Sequence, residues 1–503
     1  MSPSRTPSLL LAIVIVVCLL SSAPAQNPAA GANVNMVSGT DWTTGDPFLQ
    51  RQNEPSVAVS TRNPLHLLAG ANDYRTVDLP GLLGIEERGD AWLGIFKSFD
   101  GGQTWQSTLL PGYPLDSSSD GVTSPVHGFQ AGADPAVRAG TNGLFYYSGL
   151  AFNRGANAPS AVFLARFIDN DNRENGDATQ KQGAITNVVP ADSIRYLGQS
   201  VVAKGSSSVF LDKPWLAVDV PRGSVTCTIN FTNPDGSSGT ETLPAGVVFV
   251  SYSAFDVPSS TQSGDGEDDH GSDQDDDDLR TGSKILFARS TDCGKTFSVP
   301  IQLASDAVTN QASDIVVDPS SASNSAATIY VVWRRFADAN HPGGIVIRKS
   351  INGGLTFGTP ADVVTFPASC LTTPTGAGCP IDQGQSPAAP FGGSFRSNTY
   401  PTMAVDATGR VYVAWSQRQS NGDARIVMSV SSNGVNWAAP TAVDLGPVPD
   451  DLGNPFPNLS NPSRGHQLMP SLSFNAGKLM LAYYDLRQDH TLGVLTPATD
   501  EKS

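Results

Sequence analysis

Six times along the chain a short opening leads into an apolar, β-branched run. The copies are Glu54-Pro55-Ser56-Val57-Ala58-Val59, Asp134-Pro135-Ala136-Val137, Lys213-Pro214-Trp215-Leu216-Ala217-Val218, Asp314-Ile315-Val316-Val317, Tyr400-Pro401-Thr402-Met403-Ala404-Val405 and Met469-Pro470-Ser471-Leu472. Each is followed by a turn and a second run of strand length, for example Phe145-Tyr146-Tyr147, Ile329-Tyr330-Val331-Val332-Trp333 and Val411-Tyr412-Val413-Ala414-Trp415. None of these runs carries a helical period, and Gly, Asp and Pro bound them. Proline at the first residue of a strand removes no ladder donor that pairing requires. A unit repeated in this way cannot bury its own faces and must stack on its neighbours.

A second repeat is sharper. Ser98-Phe99-Asp100-Gly101-Gly102-Gln103-Thr104-Trp105 recurs as Ser290-Thr291-Asp292-Cys293-Gly294-Lys295-Thr296-Phe297 and as Ser350-Ile351-Asn352-Gly353-Gly354-Leu355-Thr356-Phe357, with a worn copy ending at Asn433-Gly434-Val435-Asn436-Trp437. Asp or Asn accepts from backbone N–H groups, Gly takes a left-handed conformation, and the aromatic packs the turn down. The octet resembles the Asp-box of sialidases and related BNR-repeat proteins, which are β-propellers. The resemblance covers residues 50–490 and implies an all-β fold: a sialidase-like six-bladed β-propeller of four-stranded antiparallel blades.

Six openings give six blades over 53–503, with a signal peptide over 1–25 and an N-terminal segment over 26–52. The sixth blade is short of sequence after Tyr484, so Asn33–Ser38 is expected to supply a closing outer strand. In an up-and-down blade the octets share one face, where their role is structural. The other face collects the strand openings and the ends of the second runs. Five of the six second runs exit into arginine, giving Arg75, Arg154, Arg334 with Arg335, Arg418 and Arg487. Glu54, Asp134, Asp212 and Tyr400 stand at openings on the same rim. Guanidinium forks suit a carboxylate or phosphate, and they equally suit ion pairs with those neighbouring acids.

Sialidases clamp the sugar carboxylate with three arginines and use a tyrosine nucleophile activated by Glu, with an Asp as acid/base. Carried over residue by residue, the resemblance puts the second family arginine at Arg75. Asp78 takes the acid/base place, with Asp90 in reserve, and Tyr400 the nucleophile. The first family arginine is missing, because Asn53 stands in its place and Arg51 lies two residues earlier. No Glu occurs between Glu267 and Glu501, which leaves Glu54 as the replacement activator. A phenol without an activator, at pKa near 10, is a poor nucleophile. Two readings follow: an exported propeller that binds an anionic glycan or glycoprotein without turnover, and an exo-α-sialidase-type glycoside hydrolase.

Composition narrows the setting. Net charge is −16, which disfavours nucleic acid as a partner. Arg5, the apolar stretch Leu9–Leu20 and Ala23-Pro24-Ala25 read as a secretory signal; an uncleaved anchor is the alternative. No second apolar stretch follows, so the expected product is a secreted monomer, extracellular or periplasmic, without a membrane span. Four cysteines then remain, and an oxidising compartment favours two disulfides over free thiols. Cys227 and Cys293 fall on the same side of the third unit, which suits a Cys227–Cys293 bridge, and Cys370–Cys379 can close a Gly/Pro/Thr loop. An acidic loop over 256–282 is expected to be disordered. Ca²⁺ capture by its Asp265–Asp278 carboxylates is the alternative, although EF-hand spacing is absent. The six histidines show no metal spacing, and no other cofactor is expected.

Overall fold

The structure, a computed structural model, describes residues 34–37, 52–74, 90–155, 158–170, 193–232, 238–257, 282–305, 307–374, 376–382, 397–420, 423–444 and 466–486. The chain divides into two units, Met1–Asn35 and Met36–Ser503, and every strand belongs to the second.

The described residues are almost entirely β. The first sheet is β1 (Asn53–Val59), β2 (Leu67–Asp73), β3 (Trp92–Ser98) and β4 (Gln106–Leu109), antiparallel and in chain order. The second is β5 (Ala131–Ala139), β6 (Leu144–Phe152), β7 (Ser160–Asp169) and β8 (Ile194–Lys204). The third combines β9 (Val209–Val218) with β12 (Val248–Asp256), β13 (Ser283–Ser290) and β14 (Ile301–Ala304). A separate hairpin, β10 (Thr226–Thr232) and β11 (Ser238–Pro244), is inserted after β9. The fourth is β15 (Asn310–Val317), β16 (Ile329–Arg335), β17 (Gly344–Ser350) and β18 (Ala361–Thr365). The fifth is β19 (Thr402–Val405), β20 (Val411–Arg418), β21 (Ala424–Ser431) and β22 (Thr441–Ala442). The last sheet has two strands among the described residues, β23 (Gln467–Asn475) and β24 (Lys478–Asp485).

The first strands of successive sheets neighbour one another, β1 beside β5, β5 beside β9, β9 beside β15, β15 beside β19 and β19 beside β23. The sheets are therefore set radially, as blades of a propeller are. Strand alternation then sends adjacent side chains into different inter-sheet cores. Tyr147 joins Trp92, Phe145 and Phe163 between the first two sheets, whereas Tyr146 joins Val248, Val250 and Tyr252 between the second and third. In the same way Trp333 packs with Phe249 and Phe287, while Val332 packs with Met403 and Trp415. Each fully buried aromatic contributes roughly 1.5–3 kcal/mol. Trp92, Trp333 and Trp415 also satisfy their indole N–H groups, on Leu110 O, Asn310 Oδ1 and Gln417 Oε1.

The octets fold as their chemistry dictates. Asp100 Oδ1 accepts from the backbone N–H groups of Gln103 and Thr104, and its Oδ2 from Thr104 Oγ1. Asp292 repeats all three bonds with Lys295 and Thr296, and Asn352 caps Thr356. Gly354, at φ 76°, approaches the previous blade so closely that a Cβ would sit 2.7 Å from the Phe287 ring. The turns at Gly294, Gly354 and Gly434 are thus fasteners between neighbouring blades, set against Tyr146, Phe287 and Tyr330. Both expected disulfides form, Cys227–Cys293 and Cys370–Cys379. The first ties the inserted hairpin to the octet of its own blade.

Candidate functional site

The first strands are interrupted where they approach the centre. In five of the six sheets the pairing slips near the start of the first strand, between Asn53 and Ser56, Ala133 and Ala136, Asp212 and Trp215, Gln311 and Asp314, and Leu468 and Ser471. Each bulge holds a non-glycine residue in the left-handed region: Glu54 (φ 53°), Asp134 (58°), Lys213 (47°), Ala312 (54°) and Met469 (50°). Proline follows in four of the five, and its missing N–H breaks the ladder there. Such conformations cost on the order of 1–3 kcal/mol each and persist where surrounding contacts over-determine them. In the fifth sheet Tyr400-Pro401 precedes the strand, which begins at Thr402.

The bulges bring side chains from different blades together. Lys213 Nζ lies 3.1 Å from Glu54 Oε1 and 3.1 Å from Asp134 Oδ1, so one ammonium joins three blades. The Lys213 N–H donates to Asp134 Oδ2 and the Asp134 N–H to Asn72 Oδ1. Glu54 and Asp134 thus accept from the same ammonium. Next to them Gln311 Nε2 donates to Asp212 Oδ2 (3.0 Å), and the Tyr400 hydroxyl donates to Gln311 Oε1 (2.8 Å) while accepting from Asn398 Nδ2. Five blades contribute to this axial floor. Solvent reaches it, since the Glu54 side chain keeps 44% of its exposure and Lys213 keeps 22%.

The environment separates the two carboxyls. Desolvation opposes the charge on Glu54, but Lys213 and hydrogen bonds from Asp134, Lys213 and Asn72 overcome it and bring the pKa to about 2. Desolvation pushes Asp134 well above the usual carboxylate range, against Lys213 and reinforced by Glu54 and Asp212. Lys213 is desolvated too, yet Asp134 and Glu54 raise its pKa well above the ordinary lysine value. Glu54 is therefore the more acidic of the two carboxyls, and Lys213 is the cation between them. Nearby, Asp314 is raised to about 6 by burial, with Arg138 and the Met403 N–H opposing. The Arg138 guanidinium lies over the Trp215 ring at 4.9 Å.

This geometry limits the chemistry. Both carboxyls are held on the Lys213 ammonium, which stands where a glycosidic bond flanked by the pair would have to lie. Tyr400 gives its hydroxyl proton to Gln311, an amide that has no basicity to take it further. The floor is suited to hydrogen-bonding a hydroxyl-rich ligand. Among the described residues no cluster of three or more His, Cys, Asp or Glu is arranged to hold a metal ion.

Of the residues singled out from the sequence, Glu54, Asp134, Asp212 and Tyr400 reach the floor. Asp78, Arg75, Arg487, Arg51 and the Asp265–Asp278 run lie outside the described residues. The described exit arginines are engaged by carboxylates. Arg154 Nε meets Asp90 Oδ2 at 2.6 Å. Arg334 Nη2 meets Asp382 at 2.9 Å, and Arg335 Nη1 meets Asp362 at 3.0 Å. Arg418 is desolvated, with Asp382 and Asp423 favouring its charge. Lys213 and Gln311 were not anticipated. Lys213 occupies the same place in its opening as Glu54 and Asp134, and that alignment was the available signal. Gln311 has no such signal, since it precedes an opening that lacks proline.

No protein-family profile matches the chain, and no curated protein matches it. Among solved structures it is similar to the Hadza microbial sialidase Hz136 at 13% identity and TM-score 0.36, over 78% of this chain and 59% of that one. It is similar to the GH93 α-L-arabinofuranosidase of Fusarium graminearum, solved with arabinobiose, at 12% and 0.35, over 88% and 95%. It is also similar to Trypanosoma rangeli sialidase at 11% and 0.32, over 86% and 52%. The chain spans little more than half the length of the two sialidases. Identities and scores this low leave the chemistry of the site to its own residues.

Proposed function

We propose that the protein is an exported, monomeric, six-bladed Asp-box propeller that binds a glycan at its axial floor without turning it over. The observation that carries this reading is the Tyr400–Gln311 hydrogen bond. A nucleophilic tyrosine needs a partner that removes its proton, and an amide cannot. Glu54, the replacement activator expected from the sequence, is instead committed to Lys213. An anionic ligand finds its most accessible guanidinium at Arg154, whose side chain is 63% exposed, in exchange for Asp90. Arg75 and Arg487 belong to the same proposed surface.

The second reading, an exo-α-sialidase-type hydrolase, is favoured by one observation: Glu54 and Tyr400 share the floor, as a nucleophile and its activator would. Asp78 supplies the acid/base in that reading. Calorimetry with sialyllactose and turnover of a fluorogenic sialoside separate the two. Heat of binding with no turnover is expected. Turnover that disappears in Asp78→Asn and Tyr400→Phe variants would establish the hydrolase and end the binding-only reading.

A further inference from the structure

A cavity of about 360 Å³ opens on the same rim, between the β16–β17 loop and the loop closed by Cys370–Cys379. Its floor is the Arg334 guanidinium, stacked between the rings of Phe336 at 4.7 Å and Phe366 at 4.6 Å. Both terminal nitrogens of Arg334 are spent on protein acceptors: Asp382, the Arg335 carbonyl and the Gly344 carbonyl. The floor is thus a rigid, charge-compensated plate and not an anion clamp. Along one side Asp338 fixes a turn by accepting from the N–H groups of Asn340 and His341, both at 2.7 Å. The cavity therefore combines apolar walls with a polar lip. That combination suits a pyranose ring, whose C–H faces lie on apolar surface while its hydroxyls bond at the edge. The volume falls at the lower end of the small-ligand range.

Position supplies the second argument. Gln311, which holds Tyr400, is paired directly opposite Arg334 across β15 and β16. β16, which carries Arg334, therefore runs one strand spacing, about 4.8 Å, outward from β15, which carries Gln311. Adjacent units of an oligosaccharide can span that step.

We infer that this cavity is a second carbohydrate subsite, holding the penultimate unit of a glycan whose terminal unit occupies the axial floor. It rests on the glycan-binding reading above. The test is calorimetry with matched pairs, sialic acid against sialyllactose and glucuronic acid against cellobiouronic acid. In the wild type the longer member of a pair should bind about tenfold more tightly. Ala368→Trp and Ala339→Trp each place an indole in the cavity from an exposed position, and each should abolish that gain. Equal affinity for both members in the wild type, or a gain that survives both tryptophans, overturns the subsite alone. Absence of binding by every sugar to protein shown folded by circular dichroism ends the glycan reading and the subsite with it.

Discussion

Lys213 shows how much one side chain can hold. It is the cation between Glu54 and Asp134, and removing it leaves two adjoining carboxyls with no counter-charge. Breaking a fully buried pair from one side costs on the order of 3–5 kcal/mol, and the solvent that reaches Glu54 and Lys213 reduces that here. Lys213→Met should therefore destabilise the protein by about 1–2 kcal/mol at pH 7, read from urea midpoints. Adding Glu54→Gln should restore part of that loss. A single variant as stable as the wild type would mean that the cluster is held by its backbone alone. Asp314 makes a prediction of opposite character. Its folded pKa of about 6 lies above the ordinary aspartate value of 3.8, so the folded state binds its proton more tightly than the unfolded state. Its contribution is neutral below pH 3.8, becomes increasingly unfavourable as pH rises to about 6, and stays constant above that. Asp314→Asn should flatten the decline of stability between pH 4 and pH 6, measured by urea midpoints across that range. Asp134 acts with the same sign and preserves part of the slope. Glu54 acts below this window, losing its contribution as pH falls from 4.5 towards about 2. Parallel profiles for variant and wild type would remove Asp314 from the account.

At the scale of the element, the octet turn is self-contained and the opening bulge is not. In the octet, Asp292, Lys295 and Thr296 make their bonds within five residues, so sequence alone reveals the turn. Its glycine adds an inter-blade requirement. Gly354→Ala forces a left-handed φ on alanine and drives a methyl into Phe287. It should cost about 1–3 kcal/mol by overpacking, read as a lower urea midpoint; an unchanged midpoint would show that the turn can back away from its neighbour. The bulges depend on pairing partners distant in sequence, as in Asn53 with Asn72 or Gln311 with Arg334. Proline marks where four of them fall, yet neither the left-handed residue nor its direction is written locally. That explains why Glu54 and Tyr400 were legible as candidates while their partners Lys213 and Gln311 were not. The β10–β11 hairpin was missed for a related reason: its strands were read as the connection between a first and a second run. The arginines show the reverse error of emphasis. Their convergence on one rim was readable, whereas Asp90, Asp362 and Asp382, which engage three of them, lie far away in sequence.

At the scale of the whole molecule, the unsettled boundary lies between the first and last sheets. A closed ring buries both faces of every blade, but Val57 and Val59 of β1 are 56% and 47% exposed, and among the described residues β24 pairs with β23 alone. Met36 and Val37 pack against Ala69, Ala71 and Phe96 of the first sheet. We propose that Asn33–Ser38 supplies the outer strand that closes the ring. Closure by this segment removes apolar surface from water at about 25 cal/mol per Å² and converts an open stack into a ring whose ends restrain each other. Deleting residues 26–45 should therefore lower the melting temperature by several degrees and broaden the transition, because the terminal sheets lose mutual support and begin to open independently. The deletion leaves the axial residues from Glu54 to Tyr400 in place, so sialyllactose affinity at 10 °C should fall much less than stability does. Scanning calorimetry reads the first outcome and titration calorimetry the second. A melting temperature identical to that of the full chain would show that the segment closes nothing and that the sheets hold their radial order through the inter-sheet cores alone.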